Sequence, residues 1–315
     1  MKVAHIGLGK TGTSFIQRHF FNSLEVNFYT TDNNDWPEEF KFISTTNEAW
    51  LSDIYIGNSI YSNLTRVKAF HHVISRNKND FYDSMEKFRI KNDESDYILS
   101  AEGLSGLSHE MLQAHLDLLS AAGVEKIIFV CRKQASWAIS LWRQFLLSEN
   151  RFSRFVSFDT LFGNSDLDGV IGLDWDLYIQ KLDSQFGREN VLVLPYELLI
   201  SDAVDFFRRL SFFLGYKKAI IPQNLSIREN LSCVEEIYYG LKFDGVFPFY
   251  KLPYLRRKLH RLVDILPVNL TRGIVMMNSM SVDHKELMSL QGRFFSSNRK
   301  LDSRIGISLE KFGYY

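Results

Sequence analysis

The stretch HIGLGKTGTSFIQRHF, from His5 to Phe20, sets Gly7, Gly9 and Gly12 around Lys10 and adds Thr11, Thr13 and Ser14. Glycines allow a tight backbone that bares its amide N–H groups, the lysine adds a full positive charge, and the hydroxyls add further donors. Placed between a strand and a helix, such a turn cradles a phosphate-like anion, helped by the partial positive charge of the helix start. An ordinary glycine-rich turn would explain the glycines but not the lysine with its run of hydroxyls. The tripeptide GKT is not a Walker A loop, because that motif needs a glycine five positions before Gly9 and Ala4 stands there.

Two further places carry chemistry. In CRKQASWAISLWRQF, Arg132 is followed eight residues later by Ser140. An arginine at a strand end can grip a terminal phosphate as a charged fork, and a serine two helical turns on can reach the same group. In ILSAEGLSG, Glu102 falls just past an apolar run, at the sheet edge where open α/β folds bind ligands. A carboxylate there can take a proton from an attacking hydroxyl, with Ser100 near enough in sequence to orient it. His71, His72 and His109 are rivals for that task and rank below Glu102, His109 because it opens a helix.

The elements that must position these residues show as four short apolar runs: KVAHIGL near the start, YILSAEG from Tyr97, KIIFVCR from Lys126 and NVLVLPYE from Asn190. Continuous apolar runs of this length read as strands buried on both faces, hence as a parallel sheet. Between the second and third, Leu112, Leu116 and Leu119 recur at helical spacing, with Ser108 placed to cap the helix and Gly123 to end it. Strands alternating with helices predict an α/β fold with helices on both faces of the sheet. Residues from about 28 to 91 read as a polar, mixed insertion, and beyond Leu225 the chain reads as mostly helical. A single domain over 1–315 is expected, with an α/β core over 1–225 and a helical part over 226–315.

Composition bounds the rest. Lys and Arg together number 37, as do Asp and Glu, so no global charge points to nucleic acid and any anion site must be local. No run reaches the roughly 20 apolar residues of a membrane span, and the start lacks a leader-like pattern. Cys131 and Cys233 are too few for a disulfide framework or a cysteine-based zinc site. A cytoplasmic protein without a metal is the expectation.

Taken together, these motifs resemble the sulfotransferases that use 3′-phosphoadenosine 5′-phosphosulfate (PAPS), in particular the bacterial and carbohydrate-type members. GKTGTS is similar to their 5′-phosphosulfate loop, although the family usually has proline where Gly9 stands. Arg132 with Ser140 matches the family's second signature, with Lys133 and Gln134 in place of the frequent Asp-Pro or Asn-Pro. FGRENVLVLPYELL resembles the strand ending in Tyr-Glu-x-Leu, whose tyrosine lies near the adenine in some members. The last 22 residues, from Phe294, look like the C-terminal segment of bacterial members.

The resemblance implies a P-loop NTPase-like fold with PAPS as co-substrate. Lys10, Thr11, Gly12, Thr13 and Ser14 would lie at the phosphosulfate, Arg132 and Ser140 at the 3′-phosphate, and Tyr196 near the base. Glu102, in a Ser-x-Glu segment like that of the carbohydrate-type members, would be the general base, with Lys10 as the second catalytic residue. The acceptor would be a hydroxyl, most naturally on a sugar or glycolipid. Two alternatives stay open: a Mg²⁺-dependent P-loop kinase or NTPase, with Glu102 or Glu197 as the acid near the metal, and a non-catalytic nucleotide- or glycan-binding protein. Residues 251–262 carry Arg256, Arg257, Lys258 and Arg261 beside an apolar stripe. That pattern fits a solvated helix face, a peripheral membrane contact or an anionic partner.

Overall fold

In the computed structural model, residues 1–7, 9–30, 37, 78–101, 109–147, 173–223, 225 and 284–315 are described. The four apolar runs are strands β1 (Lys2–His5), β3 (Tyr97–Ser100), β4 (Lys126–Cys131) and β5 (Val191–Pro195). A fifth strand, β2 (Asn27–Thr30), lies at the sheet edge, and all neighbours pair in parallel in the order β2-β3-β1-β4-β5.

Alternate strand residues feed two cores, as the two-residue repeat of a pleated sheet requires. Ala4, Leu99, Ile127 and Phe129 face one side, under helices α2 (Lys78–Lys91), α3 (His109–Ala121), α4 (Gln134–Leu147), α5 (Trp175–Phe186), α8 (His284–Arg293) and α9 (Phe295–Ile305). Val3, Ile98, Ile128, Val130 and Leu194 face the other, under α1 (Thr13–His19), α6 (Tyr196–Ser201) and α7 (Ala203–Phe213). Leu112, Leu116 and Leu119 of α3 are fully buried, and Gly123 follows that helix at φ 85°. Each such side chain contributes about 1.5–3 kcal/mol by leaving water.

The stretch from about 28 to 91 begins inside β2 and ends with α2, two regular elements that the sequence reading did not mark. The sequence NFYT lacks a continuous apolar run because an edge strand is half-exposed. Backbone pairing with β3, rather than a buried side-chain pattern, makes it a strand. Past residue 283 the chain is helical, and its last residues return to the sheet, where Tyr314 is fully buried. Among the described residues no helix is long and apolar enough to cross a membrane. The basic stretch 251–262 and Cys233 lie outside the described residues.

Because every strand runs the same way, the segments after β1, β3, β4 and β5 all emerge at one edge of the sheet. β1 is the central strand, and the chain crosses it between β3 and β4. That is the switch point at which open α/β sheets form a crevice.

Candidate active site at the carboxyl edge of the sheet

β1 ends at His5, and the loop after it is bent by two left-handed residues, Lys10 at φ 71° and Gly12 at φ 81°. Glycine adopts this conformation freely, but lysine does so at a cost of about 1–2 kcal/mol. Such strain persists only where the surroundings over-determine it, and here contacts from β4 and α4 do so. Arg132 Nη1 donates to the Lys10 carbonyl at 2.6 Å, and Trp137 Nε1 donates to the Gly9 carbonyl at 2.9 Å. α1 then starts from Gly12, whose carbonyl accepts from the Ile16 amide at 3.0 Å.

Beneath the loop lies a small polar interior. A Cβ on Gly7 would sit 2.8 Å from Thr13 Oγ1, 3.2 Å from Thr11 Oγ1 and 3.4 Å from His5 Nε2, so only glycine fits. Thr11 and Thr13 are buried, with their hydroxyl oxygens 3.4 Å apart. The amide of Gln17 donates to both Ser100 O (3.1 Å) and Ser100 Oγ (3.0 Å). Ser100 Oγ also lies 2.7 Å from His5 Nδ1, a hydrogen bond whose direction follows the imidazole tautomer. His5 is fully buried and its Nε2 has no hydrogen-bond partner among the described residues; burial lowers its pKa to about 3 and keeps the ring neutral.

Arg132 follows the last residue of β4. Its guanidinium lies 4.6 Å from the centre of the Tyr196 ring, and its own carbonyl accepts from Trp175 Nε1 at 2.8 Å. Tyr196 opens α6 directly after β5, and its ring is wedged against Gly12, where a Cβ would come within 3.2 Å of Cε2. The next residue, Glu197, is committed on both oxygens. It accepts from the Lys133 amide at 3.0 Å and from the Tyr314 hydroxyl at 2.7 Å. Tyr314 in turn lies beside Cys131, whose thiol is pushed up to about 12 by burial and then by the Glu197 charge.

The structure therefore gathers Lys10, Thr11, Gly12, Thr13, Ser14, Arg132 and Tyr196 at one edge. Ser140 is half-buried in the second turn of α4, beyond Trp137. Glu102 lies outside the described residues, as do His71 and His72. Its strand ends at Ser100, paired in register with His5, and the Ser100 hydroxyl is engaged by His5 and Gln17. Sequence reasoning missed His5, Gln17, Trp137 and Trp175. His5 alone carried a signal, as a polar residue within an apolar strand.

Chemically, the Arg132 guanidinium stands against the glycine-bent loop that carries Lys10, and nearby Glu197 is engaged by the Lys133 amide and the Tyr314 hydroxyl. Among the described residues the buried Arg132 Nε has no hydrogen-bond partner, which leaves the guanidinium donor capacity beyond its bond to the Lys10 carbonyl.

Comparison with known proteins is consistent with the geometry. The family model described as "Sulfotransferase domain" matches residues 2–233. Fourteen solved chains match the fold. One of them, the crystal structure of a sulfotransferase from Alicyclobacillus acidocaldarius, is 14% identical with a TM-score of 0.51, covering 98% of this chain and 97% of that one. No curated protein matches this sequence.

Proposed function

The chain belongs to the sulfotransferase family, whose reaction is sulfuryl transfer, and on that premise we propose that it moves a sulfuryl group from PAPS to a hydroxyl of a carbohydrate or glycolipid acceptor. The observation that carries the reading is the meeting of Lys10 and Arg132, 122 residues apart in sequence, through a 2.6 Å hydrogen bond. That contact joins the glycine loop to the strand-end arginine, which supports a single donor site built from both.

In this reading PAPS supplies the sulfuryl group and a phosphate leaving group. Lys10 and the amides of the loop from Lys10 to Ser14 hold the phosphosulfate, and Lys10 offsets the charge that grows on the leaving oxygen. Thr11 and Thr13 shape the loop from beneath. Arg132 and Ser140 take the 3′-phosphate, and Tyr196 flanks the adenine. Glu102 takes the acceptor proton as the new S–O bond forms and the bond to the phosphate breaks. The whole chain acts as one domain, 1–315, without a metal and in the cytoplasm. A sugar acceptor rests on the likeness of the Ser-x-Glu segment to carbohydrate-type members.

The test is the thermal midpoint with adenosine 3′,5′-bisphosphate, the spent donor, against ATP with Mg²⁺. At about a hundred times its Kd the bisphosphate should add about 2.7 kcal/mol of stability without metal. Stabilisation by ATP and Mg²⁺ alone overturns the reading in favour of a kinase. Glu102→Gln should bind the bisphosphate as the wild type does while losing turnover; retained turnover removes Glu102 from the mechanism.

A further inference from the structure

Trp137 is fully buried in α4, yet its indole N–H is spent on a loop carbonyl, that of Gly9. The next carbonyl, Lys10 O, is taken by Arg132, and the Arg132 carbonyl is itself fixed by Trp175, whose ring meets Trp137 edge to face at 6.4 Å. Three donors, from Arg132 just past β4, from α4 and from α5, therefore fix the carbonyls of Lys10, Gly9 and Arg132 itself. A trans peptide holds its C=O and the following N–H on opposite sides. Turning the Gly9 and Lys10 carbonyls toward Trp137 and Arg132 thus aims the amide N–H groups of Lys10 and Thr11 away from them, toward the side where a loop of this kind receives an anion.

Gly9 has no side chain to restrain its own backbone. Proline would fix φ by its ring, whereas glycine leaves the backbone widely free. The left-handed Lys10 that follows Gly9 needs some other restraint to be populated before an anion arrives. We propose that Trp137 is a positioning residue for the donor site: its indole N–H, acting with Arg132, supplies the restraint that Gly9 lacks and pre-organises the amides of Lys10 and Thr11. The part of the proposal that concerns the donor rests on the sulfotransferase reading above; the restraint on the loop does not.

The test is a cycle of Trp137→Phe, Gly9→Pro and the double variant, read by hydrogen exchange over residues 9–14 and by the Kd for adenosine 3′,5′-bisphosphate. Trp137→Phe keeps an aromatic ring but lacks the donor. It should speed exchange of this segment and weaken bisphosphate binding about fivefold, the loss expected for one neutral hydrogen bond. Gly9→Pro should restore both in the Trp137→Phe background, yet change either less than twofold in the wild type, because the two devices do the same work. Should Trp137→Phe not fold, the wild type suffices: the Trp137 indole proton must exchange slowly, and a freely exchanging one overturns the proposal. Unchanged exchange in Trp137→Phe also overturns it, whether or not nucleotide binds. A loss that Gly9→Pro leaves unrestored, with a fall in melting midpoint, reduces Trp137 to a core side chain. If wild type fails to bind the bisphosphate while exchange responds as expected, the donor assignment fails and the restraint stands.

Discussion

Acid should weaken this fold through one side chain, His5. The imidazole is fully buried among Ser100, Gln17, Gly7, the loop threonines and the edge of Phe21, 5.3 Å away between ring centres, and none of these carries charge. Burial lowers its pKa from 6.5 to about 3. The unfolded imidazole therefore takes up its proton near pH 6.5, while the folded one resists down to about 3. Stability linked to His5 is complete above pH 6.5 and drains as pH falls through that window. One pKa unit is worth about 1.36 kcal/mol, so the wild type should lose about 2 kcal/mol between pH 7 and pH 5 and about 3 by pH 4 from this group alone.

The assay is urea unfolding at a series of pH values for wild type and His5→Asn, which cannot titrate there. The variant will differ in absolute stability, but the seven other histidines implied by a total of eight, and every carboxylate, are common to both chains. The difference between the two curves should thus grow by about 1.4 kcal/mol per pH unit below 6.5. Parallel curves, or a His5 that titrates in the folded protein above pH 5, would refute the reasoning and mean that the ring has a route to water or a counter-charge.

Other expectations follow from the same contacts. Arg132→Ala removes a charged donor from the Lys10 carbonyl and a cation from the Tyr196 face, for about 2–4 kcal/mol in urea unfolding of the ligand-free protein; unchanged stability with lost nucleotide affinity would make the arginine a ligand only. Gly12→Ala forces a side chain into a left-handed position with its Cβ 3.0 Å from Leu199 Cδ2, so stability should fall by at least about 1 kcal/mol and bisphosphate affinity with it. Tyr314→Phe leaves a Glu197 oxygen without its donor and should cost about 1.5–3 kcal/mol, seen as a lower melting midpoint. In a Cys233→Ser background, Cys131 should resist thiol reagents until the protein unfolds, because burial holds it protonated with a pKa of about 12; rapid labelling of the folded protein would contradict its burial.

Much of this was written locally. KVAH, YILS, KIIFVC and VLVLP are strands because apolar, β-branched runs suit a sheet covered on both faces, and Leu112, Leu116 and Leu119 mark a helix by their spacing alone. The tight turn after β1 was equally legible, since closely spaced glycines state a backbone shape, and Gly12 is left-handed as such a turn requires. β2 was not, because an edge strand of four residues owes its conformation to its neighbour rather than to its own pattern.

What tertiary structure alone decided is who meets whom. The order β2-β3-β1-β4-β5 brings the end of β4 against the loop after β1, so Arg132 holds the Lys10 carbonyl and Trp137 the Gly9 carbonyl. It also turns Thr11 and Thr13 inward over a neutral His5. A side chain that bonds a backbone carbonyl leaves no mark on its partner's residue type, because every residue carries that group. Sequence thus sets the local conformations and charges available, and the crossing of the chain over β1 sets which distant carbonyl each donor reaches.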